Sequence, residues 1–548
     1  MRRRDLLGLI PATVLHAREL NCDVMIAGGG MGGCAAAIAA CRNGMRVIMT
    51  EETRWIGGQL TSQAVPPDEH PWIEQFGGTA LYRSYRRDVR EHYRRYFPIT
   101  AELRAGEQFN PGGGTVSRLT HEPRVSLAVL EAMLLPWIGA GQLTVLTEHE
   151  LLSADIDGAR VRSVTVRSRR TGDSHSVTAT TFLDATEQGD LLPLTKTEFV
   201  TGFESRQQTG EPHAPEQAQP DNIQSFTVCF PMAYDKARTD PIDKPKQYEF
   251  WRDYVPKLRP AWPGKLLSWT MSHPVTLETR KLGMNPVRPY NTTDGSLNLW
   301  LYRRIAAQEN FVPGAYRADI SLVNWPQNDY WLGNLHNVSK EEAARHLEGG
   351  RQLSLSLLYW MQTAGGFPGL HLRPDQTGTE DGLAMYPYIR ESRRIRAEFT
   401  VVEQHVSTEA RMKLTGKSKE QVTAEDFPDS VGVGSYRIDL HPSSGGDNYI
   451  DISSLPFQIP LGALIPVRVE NVIPACKNLG VTHITNGCYR LHPVEWNIGE
   501  SAGCLAAAAV NGKTSARAIR NDKKRLADFQ RHIQNQGIEI AWPQLTPR

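Results

Sequence analysis

Residues 23–52 read DVMIAGGGMGGCAAAIAACRNGMRVIMTEE, and positions 28–33 hold five glycines and one methionine. Before them, residues 22–27 form a compact, mostly apolar run of the kind that makes a strand buried on both faces. After them, residues 34–42 are alanine-rich and predict a helix packed closely on that strand. Glycines placed between such a strand and such a helix mark a tight turn. In the spacing G-x-G-x-x-G they are Gly28, Gly30 and Gly33. The first permits the turn, the second lets a pyrophosphate approach the backbone, and the third lets the helix sit against the sheet. The phosphates then rest on the helix N-terminus, where free N–H groups and the helix dipole favour negative charge.

The following residues strengthen this reading over a purely structural turn. After Asn43-Gly44, residues 45–50 predict a second strand, which delivers Glu51 and Glu52 at its end. Glu51 lies roughly 20 residues past the first glycine, where an acid binds a ribose hydroxyl in the doubly wound, Rossmann-like fold.

Residues 471–510 read NVIPACKNLGVTHITNGCYRLHPVEWNIGESAGCLAAAAV: a strand over 471–475, then a small-residue helix carrying Gly499, Glu500, Ser501, Ala502 and Gly503. This resembles the C-terminal flavin-binding segment of glutathione-reductase-like FAD enzymes, in which a returning strand and helix bring a helix N-terminus to the pyrimidine end of the isoalloxazine. Residues 176–194, SVTATTFLDATEQGDLLPL, are similar to the Ala-Thr-Gly segment after the strand that returns to the FAD domain, with Glu187 in place of the usual glycine. Gly57-Gly58-Gln59 follows the second strand.

Together these blocks resemble the FAD-dependent oxidoreductase family, from about residue 22 to about residue 512. The resemblance implies an α/β enzyme with a Rossmann-like FAD-binding domain and a discontinuous, mixed α+β substrate domain inserted into it. It implies FAD as cofactor, held by Gly28, Gly30, Met31, Gly32, Gly33, Glu51, Glu52, Gly58, Gln59, Ala185, Thr186, Gly499, Glu500, Ser501 and Ala502. It does not fix the substrate, because fold likeness does not transfer a reaction.

The gross composition narrows the function further. Lys and Arg number 61 against 60 Asp and Glu in 548 residues, which removes the basic footprint of a nucleic-acid binder. Apolar residues make up 40%, and no run of about 18 of them exists to span a bilayer. The seven cysteines form no C-x-x-C pair, so neither a zinc site nor a dithiol mechanism is expected. Cys34, Cys41 and Cys504 lie among helix-packing alanines and read as buried small residues. Residues 1–17, MRRRDLLGLIPATVLHA, order a basic cluster, a short apolar stretch and a small residue as an export signal does, and Arg3-Arg4 resembles the twin-arginine pattern. Export to the periplasm or exterior is the expectation; a ragged basic N-terminus on a cytoplasmic protein is the alternative.

The expected organisation is a signal within residues 1–21, an FAD domain from 22–205 and 441–520, a substrate domain over 206–440, and a tail over 521–548. Residues 124–138 and 340–364 predict helices, as does 388–406. Residues 143–146, 161–166 and 177–183 predict a small antiparallel meander, while 225–230 and 297–302 predict strands. Residues 207–221, polar and rich in proline, predict a loop.

Catalytic candidates should lie beside the cofactor helix. Residues 489–495, YRLHPVE, pack Arg490, His492 and Glu495 just before and into it. With Pro493 as a first-turn residue, His492 is placed to take a substrate proton and Arg490 to clamp a carboxylate or a developing negative charge. His483 and His492 read equally as packed, hydrogen-bonded histidines. His70, in Asp68-Glu69-His70, is a further candidate base, with a charged surface loop as the plainer reading. Residues 324–331, NWPQNDYW, set aromatic rings among amide and acid groups as a polar-substrate pocket does, and core packing explains them as well. The charges of residues 388–396 predict a salt-bridged helix face.

The expected reaction is hydride removal from a CH–OH or CH–NH centre of a small polar metabolite by non-covalently bound FAD, with an unspecified electron acceptor. The alternatives are an NAD(P)H-using monooxygenase or ene-reductase, and a non-catalytic flavin-binding interaction protein.

Overall fold

Val24–Ala27 (β1) has four consecutive buried residues and lies at the centre of a five-stranded sheet. The structure, a computed structural model, describes residues 18–292 and 294–543; the expected export signal over 1–17 lies outside them. The other strands are Val47–Glu51 (β2), Leu143–Thr147 (β3), Thr181–Asp184 (β4) and Val472–Pro474 (β5). They are ordered β5-β4-β1-β2-β3, and every neighbouring pair is parallel.

Parallel neighbours require long crossovers. Met31–Arg42 (α1) joins β1 to β2, and Pro123–Gly139 (α2) precedes β3. Lys340–Thr363 (α3) belongs to the inserted region, and after β5 come His483–Tyr489 (α4), His492–Asn511 (α5) and Lys523–Asn535 (α6). The expected C-terminal tail is therefore largely helical, and it buries Phe529 and Ile533.

The small residues of α1 and α5 have a packing purpose. Met31 to Cys41 are all buried in α1, and so is nearly all of α5. A Cβ added at Gly499 would strike the backbone of Gly32, and one at Gly503 that of Ala36. The helices thus run parallel with their backbones touching. On the other side, a Cβ at Gly32 would fall inside the Ala475 carbonyl just after β5. These contacts lock β1, α1, β5 and α5 into one unit whose members come from opposite ends of the chain.

Several expected elements differ. Leu143–Thr147 joins the parallel sheet through β2 instead of the meander, because α2 supplies the crossover. The meander forms from His149–Asp157, Arg160–Ser168 and Ser174–Thr178, with Arg18–Asn21 added in parallel at its edge. Residues 177–183 are split, since β4 belongs to the parallel sheet. The expected strand over 225–230 contains only Phe226–Thr227, and a second strand starts at Phe230. Leu299–Tyr302 is a helical turn: the Asn298 side chain accepts the Trp300 N–H and starts it. The expected helix over 388–406 is mostly extended, with a strand at Arg394–Ile395 and a short helix at Glu403–Val406.

The inserted region has its own antiparallel sheet, ordered Arg304–Ala306, Ile320–Val323, Phe230–Tyr234 and Leu370–Leu372. Its apolar core is separate from that around α1 and includes Trp251, Trp300, Trp325 and residues of α3. The expected boundary at 440 falls inside an antiparallel pairing of Ile438–Leu440 with Ile450–Ile452. Among the described residues no helix is long and apolar enough to cross a membrane.

Candidate functional site

The glycine turn opens at the C-terminal end of the sheet. Gly28 has φ +94°, and a Cβ there would fall on the Ala185 carbonyl and within 2.6 Å of the Thr186 nitrogen, so the turn is closed against the end of β4. Gly30 begins α1 without a side-chain cap, leaving the first-turn N–H groups to a ligand or water. The Gly29 N–H donates to Glu51 Oε2 at 3.0 Å, and Thr53 donates to Glu51 Oε1 through its N–H at 2.9 Å and its hydroxyl at 2.8 Å. Burial pushes the Glu51 carboxyl up to about 7, against the pull of those donors. Gly57 donates its N–H to the Gly29 carbonyl at 2.7 Å, and a Cβ on Gly58 would stand 3.0 Å from the Gly30 Cα. Gly58 and Gln59 therefore lie directly over the turn. Glu52 turns away and pairs with Arg169.

The N-terminus of α5 reaches beyond that of α1. Gly499 lies opposite Gly32, so α5 begins six residues, or about 9 Å, ahead of Met31. Leu491 precedes its first turn without a side-chain cap, and Pro493 lies in that turn. Gln59 Nε2 donates to the Arg490 carbonyl at 3.1 Å and to Glu495 Oε2 at 2.8 Å, while the Tyr388 hydroxyl donates to Gln59 Oε1 at 3.2 Å.

The Lys477 ammonium is fully buried behind this cluster, 2.5 Å from Glu187 Oε2 and 3.2 Å from Glu495 Oε2. Burial works against its charge, yet the two carboxylates hold its pKa above the ordinary lysine range. Burial pushes Glu495 upward in turn, opposed by Lys477. The remaining oxygens, Glu187 Oε1 and Glu495 Oε1, have no partner among the described residues. They would lie 3.1 Å and 3.9 Å from a Cβ on Gly30. Glu187, the departure from the expected glycine, therefore faces the cradle.

Gly499 to Ala502 lie deeper in α5 than the sequence suggests. Gly499 meets Gly32, the Ser501 hydroxyl donates to the Val431 carbonyl at 2.7 Å, Ala502 is buried, and Glu500 accepts the Trp496 indole N–H at 3.2 Å. These contacts are to protein. The α5 residues at the open end are 491–495.

A cavity of about 300 Å³ ends on Arg490 and Leu491, at this open end. Arg303, Arg390, Tyr388, Asp439 and His441 also line it. His441 Nδ1 is 2.6 Å from Asp329 Oδ2 and its Nε2 is 3.4 Å from Asp439 Oδ2. Asp329 is buried, which raises a carboxyl, but Arg390 at 2.9 Å and His441 hold it below the usual range. A larger open groove of about 1090 Å³ lies between Asp235, Arg317 and Arg373 and contains no residue of the glycine turn, α1 or α5.

The sequence-expected histidines lie elsewhere. His492 is fully buried: Nδ1 accepts the Asp68 N–H at 3.0 Å, and Nε2 donates to the Val65 carbonyl at 3.3 Å. Burial lowers its pKa to about 3. Both ring nitrogens are thus engaged by the backbone. His70 packs against Trp72 and Trp542 and places Nε2 2.8 Å from the Gly77 carbonyl. His483 pairs with Glu391 at 2.9 Å. Arg490 is at the cavity wall, and Glu495 is at the glycine cradle.

Sequence reasoning missed Lys477, Arg303, Asp329 and His441 as site residues. Asp329 lay inside the quoted aromatic segment, and Lys477 stands three residues after β5; Arg303 and His441 carry no local signal.

A cradle that any Cβ would fill, two uncapped helix starts offset by about 9 Å along parallel axes and a carboxylate at the end of β2 fit a flavin dinucleotide. A model of the family "FAD dependent oxidoreductase" matches residues 23–533. No curated protein matches the sequence. Among solved structures, E. coli quinol fumarate reductase FrdA is similar at 10% identity over 95% of this chain and 74% of that one, with a TM-score of 0.32. Glycerol-3-phosphate dehydrogenase from Bacillus halodurans complexed with FAD gives 13% identity over 40% and 41%, TM-score 0.24. L-Proline dehydrogenase from P. horikoshii gives 15% identity over 35% and 26%, TM-score 0.17. The chain thus spans less than half the length of either dehydrogenase. Because the family match takes in the parallel sheet, both helix starts and the cavity wall together, this chain belongs to the FAD-dependent oxidoreductase family: it is an enzyme, and its cofactor is FAD.

Proposed function

We propose that the enzyme is a dehydrogenase or oxidase that removes a hydride from a CH–OH or CH–NH centre of a small polar metabolite held in the 300 Å³ cavity. One observation carries this reading: a histidine with a carboxylate behind it, His441–Asp329, opens onto the cavity that ends at the start of α5. FAD, when bound, supplies the two-electron acceptor.

Gly28, Gly30, Gly33 and the start of α1 would hold the pyrophosphate, and Glu51 the ribose. Lys477 offsets the negative charge of Glu187 and Glu495 beside them. The first turn of α5 would place its positive dipole end at the flavin, with Arg490 and Leu491 between it and the cavity.

Asp329 accepts from His441 Nδ1–H and so fixes the tautomer whose proton-accepting lone pair is on Nε2, 3.4 Å from Asp439 Oδ2. Once protonated, the imidazolium lies between Asp329 and Asp439, and both carboxylates stabilise it. His492 is a positioning residue: its two backbone bonds tie residues 65–68 to the first turn of α5.

The test is an anaerobic screen of hydroxy and amino compounds for bleaching of the bound flavin. Bleaching without NAD(P)H supports the proposal. A strict requirement for NAD(P)H transfers the protein to the monooxygenase or ene-reductase reading. A flavin that nothing reduces overturns both.

A further inference from the structure

We infer that the cavity is built to hold the carboxylate of a small organic acid on the guanidinium groups of Arg303, Arg390 and Arg490. The inference rests on reading this cavity as the substrate site.

The three arginines are buried, and each is fixed through its terminal nitrogens. Arg303 donates to Asp68 at 2.8 Å and to the Asn324 carbonyl at 3.2 Å. Arg390 donates to Asp329 at 2.9 Å and to the Ser225 carbonyl at 3.0 Å. Arg490 donates to Asp439 Oδ2 at 3.1 Å and to the Asp439 carbonyl at 3.0 Å. In each, Nε–H has no partner among the described residues. The Asn324 amide nitrogen, the Trp325 indole N–H and the Tyr449 hydroxyl, which belong to the same wall, are equally unpaired.

Six buried donors of residues that line one small cavity are left without acceptors, because the carboxylates of the same wall, Asp68, Asp439 and Asp451, already pair with Arg303, Arg490 and Arg437. A buried donor left without a partner costs about 1–3 kcal/mol, so a ligand that brings acceptors into the cavity is favoured. Water can supply some of them. The charge inventory favours an anion: five arginines and three aspartates line the cavity, and Asp329 stands behind Arg390 and His441. One formal positive charge is left over.

The surplus matches a monoanion. A phosphate ester would bring close to two negative charges against Asp68 and Asp439, whereas a carboxylate brings one and presents the planar pair of oxygens that guanidinium N–H groups recognise. The fixed terminal nitrogens matter as well: the arginines are already oriented by Asp68, Asp329 and Asp439, so little side-chain entropy is lost when the acid binds.

The experiment is isothermal titration calorimetry of the oxidised holoenzyme with isobutyrate and with its neutral isostere isobutyramide, alongside inorganic phosphate. Isobutyrate should bind about 10- to 100-fold more tightly than isobutyramide, as expected for hydrogen bonds to a charged partner. Arg490→Gln should cut that preference about tenfold and leave isobutyramide affinity unchanged. Arg303→Lys, which keeps a charge facing Asp68 but removes Nε–H, gives the same reading should Arg490→Gln fail to fold. Equal binding of acid and amide, no binding of isobutyrate, tighter binding of phosphate, or a preference unchanged in the folded variants would overturn the inference. Neither isobutyrate nor isobutyramide carries a CH–OH or CH–NH centre. A protein that prefers the acid but is reduced by no metabolite therefore keeps this inference and loses the proposed reaction.

Discussion

Changing Glu51 to Gln tests whether the carboxylate at the end of β2 holds the ADP half of the cofactor. Before FAD arrives, burial places the Glu51 pKa at about 7. The ribose hydroxyls require an acceptor, and both Glu51 oxygens already accept from Gly29 and Thr53, so FAD binds the ionised form. The sign follows: below pH 7 the apoprotein must release a proton on binding FAD, so acid weakens binding. At pH 5.5, 1.5 units below the pKa, the penalty is about 2 kcal/mol, or about 30-fold in Kd relative to pH 8.5. Glu51→Gln keeps an acceptor for Gly29 but loses the charge. It should bind FAD about 10- to 150-fold more weakly at pH 8.5. Its affinity should also lose the Glu51-linked part of the pH slope. Titrating apoprotein with FAD, followed by quenching of free flavin fluorescence, measures both effects. Unchanged affinity at pH 8.5, or parallel pH profiles for the two proteins, would refute the reasoning.

Four further outcomes are expected. His441→Asn should retain FAD but slow flavin reduction by the substrate about 10²- to 10⁴-fold in stopped flow, the usual range for a lost general base; a wild-type rate excludes His441. His492→Asn should lower unfolding free energy by about 1–3 kcal/mol in urea, because the Asp68 N–H loses its acceptor, and should slow reduction less than about tenfold. A larger kinetic loss with normal stability returns the proton-accepting role to His492. Lys477→Met should destabilise the apoprotein by about 3–5 kcal/mol at neutral pH by stranding Glu187 and Glu495, with the double variant Lys477→Met, Glu187→Gln partly restored in the same melts. Gly32→Ala, whose Cβ would enter the Ala475 carbonyl, should prevent recovery of flavin-loaded protein, whereas Gly139→Ala, at the end of α2 with nothing within 4 Å of its Cβ, should not; equal flavin loading of the two counts against the close packing of α1 on β5.

The cofactor end of the molecule was legible because its signal is local: strand, turn, helix and acid follow one another within about 30 residues, and each has a composition that only that role explains. The cavity was not. Asp68, Arg303, Asp329, Arg390 and His441 are common residue types brought together with Arg490 from six distant positions, and of the six only Arg490 is singled out for a role, by its place just before the cofactor helix. Residues 388–396 show the cause of one error. Their Arg, Glu and Ile content favours a helix, but Arg390, Glu391 and Arg394 are buried in an extended segment, where Asp329, His483 and Glu204 pair with them. Alternating charge on a helix surface and paired charge along a buried strand look alike in one dimension. His492 was similarly ambiguous, since position relative to the helix start could be read but the two backbone partners that occupy its ring could not.

The pairing of β4 with β5 joins residues 182–184 to 472–474, which sets a timetable for biosynthesis. At ribosomal speeds the roughly 290 intervening residues take about 15–60 s to make, and during that time the nascent chain carries a sheet with one open edge and an α1 face of bare alanine and glycine. That surface is the one α5 must later cover. Cofactor loading therefore waits until α5 has left the ribosome. Synonymous changes that slow translation between codons 185 and 470 would lengthen the vulnerable interval and lower the yield of yellow protein without altering a single side chain.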